Sequence, residues 1–224
     1  MNTAAVLRRQ ALVEWRLTVR RFGEALNPLV FFAATVALFP MGLSPEPERM
    51  AGYAAGVLWV AALLAVLFAQ ARQFRAEAYN GVLEQLALSP QPLWLTLSAK
   101  LVVQWVILIG PLLVLAPACA YALNLPAQGV GTLMLALTLA TPTMIVLGSV
   151  GAALTVHAHQ GGALLTVLVL PMLVPVLIFG ARATDIAASG QAADGALLWL
   201  AMLAVLSVTL GPFAIAFSLR TNLD

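Results

Sequence analysis

The sequence predicts an all-α integral membrane protein with six transmembrane helices, an N-terminal amphipathic interfacial helix and a short cytoplasmic coupling helix. Three observations predict it. Hydrophobic residues make up 62% of the 224 and charged residues 9%, where a soluble domain carries about 25% charged residues, so too little polar surface is left to face water. The apolar residues fall into six runs, each near the roughly 17 to 25 residues a helix needs to cross hydrocarbon. Basic residues gather in alternate connections between those runs. The chain is expected to be a single polytopic domain over residues 1–224, because about six or seven spans would use all of it.

Residues 1–26 precede the first run. On a wheel turning about 100° per residue, Leu7, Ala11, Trp15, Thr18 and Phe22 share one side, and Arg9, Arg16 and Arg20 stack opposite. A helix of that kind lies along the membrane interface with its guanidinium groups among lipid phosphates. A solvated charged tail is the rival reading. The segment has no apolar core of about 7 to 15 residues, so no cleaved signal peptide is expected.

The six expected spans are Asn27–Leu43, Gly52–Ala71, Leu101–Leu123, Val130–Val156, Gly161–Gly180 and Ala196–Phe217. Prolines fall inside five of them: Pro40, Pro111 and Pro117, Pro142, Pro171 and Pro175, and Pro212. Each removes a backbone donor, and static bending is preferred over a moving hinge. The second span instead carries Gly52 and Gly56, a small-xxx-small pair that lets another helix approach, either within the chain or from a second subunit.

Orientation follows from the positive-inside rule. The N-terminal segment holds Arg8, Arg9, Arg16, Arg20 and Arg21; the connection after the second span adds Arg72, Arg75 and Lys100; the C-terminus adds Arg220. Of the 11 basic residues, all but Arg49 and Arg182 therefore fall on one side. Both termini are expected in the cytoplasm, and an even number of spans agrees with that.

No charged residue or histidine sits in the middle of any expected span. A charge there costs about 2.5 to 3.5 kcal/mol, so its absence weighs against an ion-coupled carrier, although broken helices can bind sodium through backbone carbonyls. A GxxxxGK[ST] phosphate loop needs a lysine after glycine, and the one lysine, Lys100, follows Ser98 and Ala99. Neither a GxSxG elbow nor an HExxH zinc helix occurs. No catalytic, cofactor or metal residues are therefore assigned.

His157 and His159 in "HAHQGG" point about 200° apart on a helix, which disfavours a shared metal or haem site. Cys119 is the only thiol and reads as a small buried apolar residue. In "ATPTM" the hydroxyls of Thr141 and Thr143 are expected to bond to carbonyls freed by Pro142, with substrate lining as the rival. Glu46, Glu48, Asp185 and Asp194 are the acidic residues of the outer connections, read as solvated.

"NGVLEQLALSPQP", residues 80–92, follows the second span on the basic side. A short helix begun by Gly81 and stopped by Pro90 and Pro92 puts Leu83, Leu86 and Ala87 on one side, with Glu84 and Gln85 on the flank. It reads as a coupling helix, a lever through which a separate cytoplasmic subunit could push; its partner-contact residues are Gly81, Leu83, Glu84, Gln85 and Leu86.

With that stretch in place the chain resembles the CcmB family, the membrane permease subunit of the ABC-type cytochrome c maturation complex. The matching stretches are "NPLVFFAATVALFP" with "SPEP", "GVLEQLALSPQP" with "LSAKL", and "LTLATPTMIVLGSVGAALTV" running to "GGALLTVLVLPMLVPVLIFG". They cover nearly the whole chain in order. Gln160 stands where the family usually has a basic residue, and Ala140 where glycine more often precedes the TPT.

The resemblance implies a multi-pass protein of the bacterial inner membrane that is not itself an enzyme. It implies an ATP-binding partner subunit, CcmA, membrane partners CcmC and CcmD, and indirectly the haem chaperone CcmE. ATP would be bound by the partner and no cofactor by this chain; haem is the candidate cargo, and no nucleic acid is involved. The resemblance leaves open whether the subunit exports haem or uses ATP-driven movement to release the loaded chaperone; the latter is favoured. Six spans are few for a closed path, so a homodimer within the complex is expected. The rivals are an ABC permease for lipid or another small molecule, and a non-transporting scaffold.

Overall fold

The computed structural model describes residues 11–16, 22–42, 46–70, 74, 80–81, 91–156 and 161–223. All regular structure among them is helical: a short α1 at 11–16, then α2 Phe22–Gly42, α3 Pro47–Gln70, α4 Leu93–Ala122, α5 Ala127–Leu154, α6 Gly161–Ala188 and α7 Asp194–Leu223. Helix is the form such apolar sequence must take in hydrocarbon, since each N–H and C=O then finds its partner within the segment.

Prolines mark several starts. Pro47 is the first residue of α3, and Pro92 and Pro126 sit just before α4 and α5 at φ −60° and −55°, where a missing N–H costs nothing. Interior prolines do not end the helices: α4 runs through Pro111 and Pro117, and α6 through Pro171 and Pro175. Two helices close with left-handed residues. After α4, Asn124 adopts φ 57° and the Leu125 N–H donates to Ala120 O at 2.9 Å; after α6, Gly190 adopts φ 78° and the Gln191 N–H donates to Ile186 O at 3.1 Å. Both are Schellman-type caps that satisfy the last carbonyls and turn the chain back at once.

Residues 43–46, 123–126 and 189–193 make the connections at one end of the bundle, and 71–92 and 155–160 those at the other. The second end carries Lys100 and Arg220 and is the basic end. α5 is central: it packs against α3, α4, α6 and α7, while α2 covers α3 and α4. α6 and α7 bury only one side, and Val167, Met172, Met202, Val205 and Phe217 point outward. Apolar outward faces are what lipid contact requires.

Five helices are long and apolar enough to cross a membrane, and Leu26–Gly42 is apolar but 17 residues long. The expectation of six spans is thus met in full length by five. Two boundaries move by about two turns. α4 begins at Leu93 rather than Leu101, and α6 runs on to Ala188 rather than stopping at Gly180. Hydropathy reports where lipid contact ends, whereas backbone hydrogen bonding carries the helix on through "LWLTLSAK" and "ARATDIAA".

The extension of α6 matters for packing. Trp59 of α3 is fully buried with its ring against Gly180, in space that a Cβ there would occupy. Its indole N–H donates to Thr184 Oγ1 at 2.9 Å, and Thr184 Oγ1 donates to Gly180 O at 3.0 Å. Similar close approaches set Gly148 of α5 against Gln70, Gly211 of α7 against Val146, and Gly129 of α5 against Ala188.

Candidate functional site

α3 leaves the bundle interior at Gln70, the point from which the connection 71–92 departs. Gln70 is fully buried because Gly148 has no side chain to displace it. Its Oε1 accepts from Gln104 Nε2 of α4 at 2.9 Å and from Ser149 Oγ of α5 at 3.5 Å. One amide oxygen therefore ties three helices together, while Gln70 Nε2 is buried with no acceptor among the described residues. An unsatisfied buried donor costs about 1 to 3 kcal/mol, which the packing around Gln70 must offset.

Beyond it lies a second junction. Phe74 is buried, and Lys100 Nζ stands 5.6 Å from its ring centroid and 3.9 Å from Glu14 Oε2. The Lys100 and Glu14 side chains are 13% and 15% exposed, so the pair is better shielded than an ordinary surface ion pair. It pins α1 to the first turns of α4. By contrast Arg49 and Glu46, 2.8 Å apart at the other end, are largely exposed and contribute little.

Asn80 and Gly81 form a turn, with Gly81 at φ 68°, a conformation natural to glycine. Leu83, Glu84, Gln85 and Leu86, with the rest of the expected coupling helix, lie outside the described residues. So do His157 and His159, and most of the expected interfacial helix. Within its described part, Glu14 turns toward the bundle while Leu12, Val13 and Trp15 are exposed. Gly52 and Gly56 are exposed, with nothing within 4 Å of where a Cβ would stand. Cys119 is buried and free.

The threonines beside Pro142 do not repair the backbone as expected. Thr141 Oγ1 accepts the Trp105 indole N–H at 3.0 Å, and the buried Thr143 hydroxyl has no partner among the described residues. An aromatic donor from α4 reaches Thr141, and a hydrogen bond between helices takes the place of one within α5. Thr141→Val is expected to cost about 1 kcal/mol, because the indole is left without its acceptor. Thr143→Val removes a hydroxyl that bonds to nothing and is expected to be neutral or stabilising by about 1 kcal/mol. Unfolding titrations in detergent check both, and an equal loss in the two variants would contradict the assignment.

The buried polar side chains among the described residues are Gln70, Thr96, Thr141, Thr143, Ser149, Thr184 and Ser218, all neutral. Of these, Gln70, Thr141, Ser149 and Thr184 join helices by hydrogen bonds, and none supplies a charged group for proton transfer. Sequence reasoning missed Gln70, Gln104 and the two tryptophan donors. Gln104 was open to discovery, since an amide three residues inside an apolar run is the residue type that binds membrane helices to one another.

Apolar helices of spanning length, an interior joined by neutral hydrogen bonds and a long polar connection at the basic end define a polytopic α-helical membrane protein. The model of the CcmB protein family matches residues 1–222. Heme exporter protein B of Pseudomonas aeruginosa is 46% identical over 209 residues, covering 93% of this chain and 94% of that protein. The proteins of that name from Haemophilus influenzae and Escherichia coli K12 are 42% and 43% identical over 211 and 212 residues, covering 94% and 95% of this chain and 96% of each relative. The chain belongs to the CcmB family.

Proposed function

We propose that this protein is the permease subunit of an ABC-type complex in cytochrome c biogenesis, receiving work from an ATP-hydrolysing partner, CcmA, and serving haem delivery. The observation that carries this reading is the likeness of more than nine-tenths of the chain to proteins named heme exporter protein B. In it Leu26–Gly42 completes a set of six spans, both termini and the 71–92 connection face the cytoplasm of a bacterial inner membrane, and residues 1–26 lie along the interface. CcmC, CcmD and indirectly CcmE are the further partners, and the open face bearing Gly52 and Gly56 suits a second copy.

Residues 80–92 receive the push. Gln70 stands at the start of that connection and Lys100 in the first turns of the helix that follows it, so displacement there reaches α3, α4 and α5 together. Between haem export and release of the haem-loaded chaperone, we favour release. No histidine and no charged group lies among the described buried residues.

Glu84→Lys tests the reading. Removing a charged group from a subunit interface costs about 2 kcal/mol, or roughly 30-fold in coupling. Copurification of CcmA is expected to survive, with stimulated ATPase activity and cytochrome c yield falling by about that factor. Unchanged ATPase stimulation and normal yield would refute the lever. A scaffold predicts that all of residues 80–92 can be altered freely so long as the partners bind.

A further inference from the structure

At the basic end the start of α4 lies beside the last turns of α7, and between them runs a groove of about 190 Å³ lined by Leu93, Trp94, Phe213, Ala216, Phe217 and Arg220. The Trp94 and Phe213 rings stack with centroids 5.2 Å apart, which fixes one wall. Phe217 is 70% exposed, and Leu206, Leu210 and Phe213 continue the same apolar surface along α7. The groove therefore opens toward lipid along its length. Its mouth is different in kind: Arg220, in the last turn of α7, is exposed and has no carboxylate within ion-pair distance among the described residues.

An occupant must be apolar where it lies on the aromatic wall and anionic where it reaches the guanidinium. The space is open along one side and takes a stretch of acyl chain. Arginine holds phosphate through paired N–H donors, tryptophan settles at the headgroup level, and basic sites between membrane helices select anionic headgroups. We propose that this groove holds one anionic glycerophospholipid, its phosphate on Arg220 and the upper part of an acyl chain on Trp94, Phe213 and Phe217. The site is independent of the coupling reading, since it needs neither a partner subunit nor a cargo.

Trp94 lies in the groove, so its fluorescence reports occupancy. Full-length protein in neutral detergent is titrated with phosphatidylglycerol brominated in its acyl chains, and in parallel with brominated phosphatidylcholine. The chain has five tryptophans, so the quenching retained by Trp94→Phe is subtracted. The Trp94 component is expected to saturate at about tenfold lower phosphatidylglycerol than phosphatidylcholine. Arg220→Gln is expected to abolish that preference, while Phe217→Ala weakens both lipids and leaves the preference in place. Equal quenching by the two lipids, a preference that survives Arg220→Gln, or displacement of the brominated lipid by inorganic phosphate would each overturn the proposal.

Discussion

Trp59→Ala is expected to lower stability by about 3 to 5 kcal/mol, the range for removing a fully buried large aromatic. The indole hydrogen bond to Thr184 accounts for the smaller part, because such bonds between membrane helices average about 0.6 kcal/mol and reach about 1.7. Most of the loss is the void left where the ring now lies on Gly180 between α3 and α6. Trp59→Phe separates the two contributions: it keeps much of the ring and is expected to cost about 1 to 2 kcal/mol. Unfolding in mixed detergent micelles measures both. A loss below about 1 kcal/mol for the alanine variant would mean that the packing of α3 on α6 does not organise the bundle.

Gly148→Leu is expected to cost about 3 kcal/mol, at the upper end for an overpacked interior. A Cβ at this position would stand 2.5 Å from Gln70 Cγ. Gln70 is buried between α3, α4 and α5 and cannot yield without giving up the Gln104 and Ser149 bonds. Gly131→Leu on the same helix is the control, since nothing lies within 4 Å of its Cβ direction. The two variants should differ clearly in unfolding midpoint. Equal behaviour would remove Gln70 from any part in holding the connection.

Much of the architecture was legible because lipid imposes simple rules. Apolar runs of spanning length located α2 to α7. The ends of α4 and α6 were not legible, since "LWLTLSAK" and "ARATDIAA" hold polar residues that stop a hydropathy reading without stopping a helix. Pairing was less legible still. Trp59 and Thr184 are 125 residues apart, and no local pattern announces their bond. The small-xxx-small spacing picked Gly52 and Gly56, but spacing identifies a helix face and does not say what covers it. The glycines that admit close neighbours in this chain, Gly129, Gly148, Gly180 and Gly211, lie on other helices. Of the partner-contact residues, Gly81 is seen in its turn, and the others are carried by sequence alone.

The unequal connections determine what kind of movement the bundle can make. At Asn124 and Gly190 the chain reverses within a few residues, so that α4 and α5, and α6 and α7, are held like the joined end of a pair of tongs. The joined end is the fulcrum. With its 30 residues, α4 makes an arm of about 45 Å, so a swing of about 5° carries its tip by about 4 Å. Any swing about that joined end is thus magnified at the opposite tip, while the capped rim stays almost still.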